Sequence, residues 1–173
     1  DCAVTVDVGQ NQLWSNVSMD IKHTQTFIQS CGLGAMGFAL PAAIGAYYAG
    51  RKQVICISGD GGIQMNIQEL QTVKEMGIPL KIIVLNNSCL GLIRDYQSKA
   101  LGNRYAGSVI GFGSPDYKLL AAAYHLEYLL VYSMEQLTEI KEHIDSANAC
   151  LIEVNISGLS TAYPEPSYGL SIV

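Results

Sequence analysis

Charged side chains are scarce in this sequence of 173 residues. Asp, Glu, Lys and Arg make up 14% of it, whereas globular domains usually contain about 25%. The net charge of −5 provides no basic footprint for nucleic acid, so we expect no nucleic-acid partner. A domain with so few charges either has a well-packed α/β core or covers much of its surface with other domains or subunits. We favour the second interpretation.

Cysteine and histidine motifs are also missing. The five cysteines include no CxxC pair, and the three histidines form no ligand cluster. Cys56 and Cys150 lie in apolar runs, which is typical of buried free thiols in a reducing compartment. We therefore expect a cytoplasmic protein without a nucleophilic cysteine.

No apolar run is long enough to cross a membrane. The longest, residues 38–50, is interrupted by Pro41, and a spanning helix needs about 20 apolar residues. No signal peptide is evident, and we expect no contact with a membrane. The sequence lacks an initial Met and opens almost directly on a strand, so we expect it to be a segment of a longer protein.

What the sequence does contain is an alternation of strand-like apolar runs and helical stripes. The predicted strands are 3–8, 54–58, 80–85, 128–132 and 150–156, and the predicted helices are 37–49, 63–76, 91–99, 116–124 and 134–147. This order predicts an α/β fold, a doubly wound parallel sheet with helices on both faces, over residues 1–156. Residues 101–115 are predicted to be a loop over the site. Residues 157–173 are predicted to be an extended C-terminal segment.

Two short polar motifs follow two neighbouring predicted strands. GDGG occupies residues 59–62, and 24 residues separate Gly61 from the pair Asn86-Asn87. The carboxyl ends of adjacent parallel strands meet in one crevice, where α/β sheets bind ligands. Asp60 and Asn87 offer the carboxylate and amide oxygens that Mg²⁺ prefers beside phosphate, and the glycines open a helix whose free N–H groups can hold a phosphate. Asp60 alone is equally typical of a helix cap, but the pair predicts a metal-diphosphate site.

These motifs resemble the signature of thiamine-diphosphate enzymes. Three further stretches resemble the acetolactate synthase and pyruvate oxidase branch: DVGQNQLW at 7–14, GLGAMGFALPAAIGA at 32–46 and CLGLI at 89–93. The resemblance implies thiamine diphosphate and Mg²⁺ as cofactors. It also implies an N-terminal pyrimidine-binding domain and a middle domain elsewhere in the full protein.

The resemblance carries site residues onto this sequence one by one. It implies that the side chains of Asp60 and Asn87 and the backbone carbonyl of Cys89 ligate the metal, while Asn86 holds the turn. It implies a cofactor site made of Gln10, Asn11, Gly34, Met36, Gly59, Asp60, Gly61, Gly62, Asn87, Gly91 and Leu92. Leu92 and Tyr96 lie one turn apart on a predicted helix, which the resemblance places along the substrate channel.

The stretch 32–37 also matches GxGxxG, so a dinucleotide site is a rival interpretation. The preceding segment, residues 26–30, is a poor strand, which weakens that rival. In the family that the chain resembles, this loop contacts the aminopyrimidine. Met36 stands where a bulky side chain wedges the cofactor into its bent conformer; its other interpretation is a core gap-filler.

Three residues depart from the pattern of the family. Asn11 replaces the usual His and removes a titratable imidazole, and Cys31 replaces a usual glycine. Tyr96 stands where acetolactate synthases commonly have Trp, so it bears on the donor and acceptor rather than on the cofactor. A packing aromatic is an equal interpretation of Tyr96.

The resemblance implies decarboxylation of a 2-oxo acid such as pyruvate and ligation of the product to an acceptor, as in branched-chain amino acid biosynthesis. Other thiamine-diphosphate lyases, oxidases or C–C hydrolases, and a non-catalytic scaffold subunit, remain alternatives, and FAD stays open for the full-length protein. In the family, a glutamate of a partner subunit's N-terminal domain activates the cofactor, and no residue here matches its motif. We therefore expect a homodimer or homotetramer with shared sites, and an isolated segment that turns nothing over.

Overall fold

The computed structural model of the chain describes residues 1–163. These residues form a six-stranded sheet in which each pair of neighbouring strands is parallel. The strands in chain order are β1 (Cys2–Val6), β2 (Gln25–Gln29), β3 (Gln53–Gly59), β4 (Lys81–Asn86), β5 (Glu127–Val131) and β6 (Cys150–Asn155). Their order across the sheet is β2-β1-β3-β4-β6-β5.

Helices cover both faces of this sheet. The α-helices are α1 (Gln10–Ser18), α2 (Ala39–Tyr48), α3 (Asp60–Ile63), α4 (Leu70–Glu75), α5 (Gly91–Ala100), α6 (Tyr117–Ala123) and α7 (Leu137–Asp145). One face packs against Leu40 of α2, Val73 of α4 and Tyr117 of α6. The other face packs against Ile140 and Ile144 of α7. The predicted α/β class is confirmed.

The central strands are apolar on both sides, as a sheet covered on both faces requires. In β3, Val54 and Cys56 belong to the larger core cluster, while Ile55 and Ile57 pack on the other side against a cluster of β1 residues. Burying these strands fixes their register, because a slip of one residue would exchange the two faces.

The chain changes direction in the sheet between β1 and β3. From β1 it runs outward to β2 at the edge, and it then returns to place β3 on the opposite side of β1. The connections on the two sides diverge there and leave a crevice beyond the carboxyl ends of the strands. This switch point is where the chain after β1, the GDGG motif after β3 and Asn87 after β4 come together.

The predicted elements are corrected at three places. Residues 25–29 form strand β2, although the sequence indicated a poor strand there. This strand lies at an edge, pairs only with β1 and has half-buried side chains throughout, so its apolar signal is weak. Helix α1 was not predicted at all; most of its residues are polar, so it carries a weak apolar pattern.

The predicted helix 63–76 is the third correction. Helical structure begins earlier, at Asp60, and breaks at Asn66, whose φ and ψ are −132° and 34°. Asn66 Nδ2 donates to the carbonyl of Gly37 at 2.9 Å. A Cβ at Gly37 would lie 2.6 Å from Met65 Cβ, so the loop after β2 touches the broken helix directly. A contact between distant segments breaks the helix, and the local pattern carries no signal of it.

Two further predictions concern irregular segments. Between α5 and α6 the chain contains only one isolated bridge, from Ala106 to Ile110, and Leu90 N–H donates to Ser108 O at 2.9 Å. The predicted loop 101–115 is therefore confirmed and packs beside the crevice. Of the predicted C-terminal segment 157–173, residues 164–173 lie outside the described residues. Within residues 1–163, no helix has the length and apolar character needed to cross a membrane.

Candidate functional site

A cavity of about 190 Å³ opens at the switch point of the sheet. It brings together all the residues that the sequence singled out for cofactor and metal. Those that line it are Gln10, Asn11, Gly34, Met36, Gly59, Asp60, Gly61, Gly62, Asn87, Cys89, Gly91 and Leu92. Tyr96, the other predicted channel residue, lies one turn beyond Leu92 on α5 and is 39% exposed.

Asp60 is the electrostatic centre of this cavity. It is 2% exposed, and its Oδ1 accepts from the N–H of Gly61 at 3.1 Å. Its other oxygen, Oδ2, is buried and has no hydrogen-bond partner among the described residues. Burial raises the pKa of Asp60 to about 6, against a partial offset from backbone N–H groups. An unpartnered buried carboxylate oxygen is costly, and a cation beside it removes that cost.

Asn87 supplies the second oxygen. It is buried, its Nδ2 donates to Gln10 Oε1 at 3.1 Å, and its Oδ1 accepts from the N–H of Cys89 at 3.2 Å. The amide therefore has a fixed orientation, with its nitrogen toward Gln10 and its oxygen toward the turn at Cys89. An amide oxygen beside a carboxylate is a donor set that suits Mg²⁺.

Asn86 has a different task from its neighbour. Its Nδ2 donates to Glu153 Oε1 at 2.7 Å, and its Oδ1 accepts from the N–H of Ser88 at 3.1 Å. Ser88 has a φ of 55°, in the left-handed region that side chains rarely adopt. The side chain of Asn86 stabilises this strained turn, as the sequence predicted, and the turn directs Asn87 into the cavity.

Glycines allow the elements around the cavity to approach closely. A Cβ on Gly61 would collide with Leu90, and one on Gly91 would collide with the Gln10 amide. A Cβ on Gly62 would lie 2.8 Å from Ser58 Oγ. A larger residue at any of these positions would have to displace a side chain that already fills the space.

Asp7 is a functional residue that the sequence did not reveal. It is 1% exposed and accepts backbone N–H groups from Val8 at 2.8 Å, Gly37 at 2.9 Å and Ala39 at 3.1 Å. It thereby fastens the loop that carries Met36 to the end of β1. Burial raises the pKa of Asp7 in spite of these donors. The available signal was an acid directly after an apolar strand and before a glycine.

The remaining predicted residues lie at the walls. Met36 is half-buried, and its Cε lies 3.5 Å from the Cβ position of Gly61. The amide nitrogen of Asn11 donates to the Asp7 carbonyl at 2.7 Å, so this residue is committed to the strand end. Helix α5 adds a buried ion pair that the sequence did not reveal: the guanidinium of Arg94 donates to Asp95 Oδ1 at 2.8 Å.

A second polar cluster lies at the opposite, amino-terminal edge of the sheet. One ligand atom each from Glu127, His143 and Cys150 lie within 4.8 Å of one another. Lys81, which pairs with Cys150 in register, is 1% exposed, and its Nζ donates to Ser146 Oγ at 3.0 Å and to the carbonyl of Asn148. The Lys81 ammonium group interacts electrostatically with Cys150 and Glu127, so a cation of the protein already acts on this cluster.

The site as a whole defines a class of protein. A switch-point crevice with an unpartnered buried carboxylate, an oriented amide and close glycine turns has the features of a metal-assisted diphosphate site. The chain belongs to the thiamine pyrophosphate enzyme family: residues 7–154 match the model described as "Thiamine pyrophosphate enzyme, C-terminal TPP binding domain". Thiamine pyrophosphate is another name for thiamine diphosphate, and the resemblance drawn from the motifs is confirmed.

The relatives that the chain matches are acetolactate synthases. The chain is 40% identical to the acetolactate synthase isozyme 2 large subunit of Escherichia coli (strain K12), over 95% of the chain and 30% of that protein. It is 36% identical to the acetolactate synthase large subunit of Porphyra purpurea, over 99% of the chain and 29% of that protein. The chain thus spans less than a third of the curated relatives it matches. The family assignment rules out the dinucleotide interpretation of residues 32–37. One argument used against that interpretation was nevertheless wrong, because the segment before the loop does form a strand, β2.

Proposed function

We propose that this chain is the diphosphate- and Mg²⁺-binding domain of an enzyme that decarboxylates a 2-oxo acid, pyruvate first among them, and ligates the product to an acceptor. The observation that carries the proposal is the unpartnered Oδ2 of Asp60 in a cavity shared with Asn87. The relatives named as acetolactate synthases support this reaction class.

The residues present fit the cofactor. Asp60, Asn87 and the backbone carbonyl of Cys89 would hold Mg²⁺, and the metal would hold the diphosphate. Thiamine diphosphate supplies the electron sink for decarboxylation when it is bound. Met36 would support the bent conformer from below, and the apolar side chains of Leu92 and Leu90 would keep water from the reacting end of the cavity.

The cavity needs a group from outside this chain. No glutamate among the described residues lines it, and the cofactor requires an acid that can protonate its pyrimidine. We therefore propose a homodimer or homotetramer whose sites are shared between subunits and take a small 2-oxo acid. Five free thiols are consistent with a reducing cytoplasm. Light scattering that shows an active monomer would contradict the shared site.

The test uses the full-length protein. Asp60→Ala should abolish Mg²⁺-dependent binding of thiamine diphosphate and the release of CO₂ from pyruvate, because a ligand and its charge are both lost. Asp20→Ala is the matched control, since the side chain of Asp20 is 81% exposed and far from any ligand role. Wild-type cofactor affinity in Asp60→Ala, measured by calorimetry, refutes the proposal.

A further inference from the structure

A chain of polar contacts connects Asn87 to a buried carboxylate on α5. Asp95 is 6% exposed, and its Oδ2 accepts from Gln10 Nε2 at 2.6 Å. Gln10 is 4% exposed, and its Oε1 in turn accepts from Asn87 Nδ2 at 3.1 Å. Three buried side chains, from α1, from α5 and from the turn after β4, therefore form one line that ends at the metal-ligand candidate.

The polarity of this line is set at its far end. Asp95 is a carboxylate paired with Arg94, so it can only accept hydrogen bonds. Gln10 must therefore present its NH₂ group to Asp95, and that group also donates to the carbonyl of Ser160 at 2.9 Å. Both amide hydrogens are used on that side. The carbonyl of Gln10 consequently faces Asn87.

The same logic continues to Asn87. Because Gln10 offers a carbonyl oxygen, Asn87 must donate to it from its NH₂ group. The Oδ1 of Asn87 then points away from Gln10. Oδ1 is the atom that can ligate a cation, since an amide nitrogen cannot. An inverted Gln10 would favour an inverted Asn87 and present NH₂ where the metal needs oxygen.

We propose that Asp95 is a positioning residue that acts through Gln10 to keep the oxygen of Asn87 available to the metal. The inference rests on the proposed function, because it assumes that Asn87 ligates Mg²⁺. Mutation of a residue that hydrogen-bonds to a metal ligand typically weakens metal affinity by about 10- to 100-fold. The contact of Asp95 Oδ2 with Ala162 N–H at 3.2 Å gives it a structural task as well, which the test must separate.

The primary experiment is a Mg²⁺ titration by calorimetry on the full-length protein at saturating thiamine diphosphate. Asp95→Asn keeps the shape but can donate or accept, so the Ser160 carbonyl is left as the obligatory acceptor for Gln10 and the polarity of the line is enforced less strongly. We expect the Mg²⁺ Kd to rise about tenfold. Ser146→Ala, which removes a hydrogen bond of Lys81 at the opposite edge of the sheet, should lower thermal stability without changing this Kd.

A double-variant cycle separates polarity from structure. In Asn87→Asp the two side-chain oxygens are equivalent, and the carboxylate repels the carbonyl of Gln10. Asp95→Asn lets Gln10 turn round and donate to it. In this background we expect Asp95→Asn to leave the Mg²⁺ Kd unchanged or to lower it. A purely structural role predicts the same tenfold loss in both backgrounds and would overturn the inference.

The outcomes distinguish this inference from the proposed function. If Asn87→Ala leaves the Mg²⁺ Kd unchanged, the proposed function and the inference both fail. If Asn87→Ala weakens Mg²⁺ binding and Asp95→Asn does not, only the inference fails. Gln10→Met, which removes the relay but keeps its volume, gives a second route if Asp95→Asn does not fold, and it should raise the Mg²⁺ Kd by a similar factor.

Discussion

The two ends of the sheet hold carboxylates in opposite electrostatic states. At the carboxyl end, Asp60 has an oxygen with no hydrogen-bond partner within residues 1–163, and burial raises the pKa of Asp60 to about 6. At the amino end, Glu127 has a lowered pKa, mainly because Asn148 donates to it, with smaller contributions from His143 and Lys81. The protein stabilises the anion at one end and leaves it uncompensated at the other.

This difference teaches how to tell a ligand site from a structural polar cluster. Glu127, His143 and Cys150 have the composition of a metal site, yet the lysine Lys81 and the amide of Asn148 already favour the Glu127 carboxylate, and burial raises the pKa of the Cys150 thiol to about 11. Asp60 and Asn87 have fewer metal-binding groups but an unmet electrostatic need. The unmet need, rather than the number of ligating atoms, indicates where an ion binds.

The largest expected effect concerns Asp60 at the carboxyl end of the sheet. Asp60→Asn keeps the volume and removes the charge, so Mg²⁺-dependent affinity for thiamine diphosphate should fall by more than about 100-fold. The metal-free protein should become more stable by about 1 kcal/mol, because a buried unpaired carboxylate is gone. Calorimetry and thermal unfolding with EDTA measure the two effects. A variant that loses stability and keeps its cofactor would reverse the comparison.

The next effect concerns Lys81 at the amino end of the sheet. Lys81→Met removes the cation and leaves the carbonyl of Asn148 without its donor. We expect a loss of about 2 kcal/mol in the free energy of unfolding and an unchanged Mg²⁺ Kd at the distant cavity. Urea unfolding with and without cofactor tests this. A weakened Mg²⁺ Kd with intact stability would mean that the ends are not independent.

A smaller effect concerns Met36 in the wall of the cavity. Met36→Ala should lower kcat about tenfold and weaken cofactor binding less, because loss of a positioning contact costs rate steeply. Leu33→Ala, at a fully exposed side chain of the same loop, serves as the loop control for cofactor binding. Steady-state kinetics at saturating cofactor decide the point, and full kcat in Met36→Ala removes this side chain from the mechanism.

A further prediction concerns the pH dependence of stability. Because the pKa of Asp60 in the folded, metal-free protein is raised to about 6, its contribution to stability is present at low pH and is lost as pH rises through 6. The wild type should therefore lose stability relative to Asp60→Asn between about pH 4 and pH 7, on the order of 2 kcal/mol. Mg²⁺ with cofactor should cancel the loss. Parallel unfolding curves for the two proteins across this range contradict the assignment.

The sequence predicted the central strands and the cavity residues because both depend on local pattern and ordered motifs. Buried runs such as 54–58 and 80–85 carry a strong apolar signal, while edge strand β2 and helix α1 carry a weak one. The break at Asn66 depends on Gly37, which is distant in sequence. Asp7 and Asp95 were missed for the same reason, since their partners come from other elements and no spacing rule connects them.

The most direct test of the comparison is a crystal of the full-length protein soaked in Mn²⁺ with thiamine diphosphate and measured for anomalous scattering. We expect one strong peak within ligand distance of Asp60 and Asn87, and no peak at the cluster of Glu127, His143 and Cys150. An ion at that cluster, or an empty cavity beside Asp60 with cofactor bound, would contradict it.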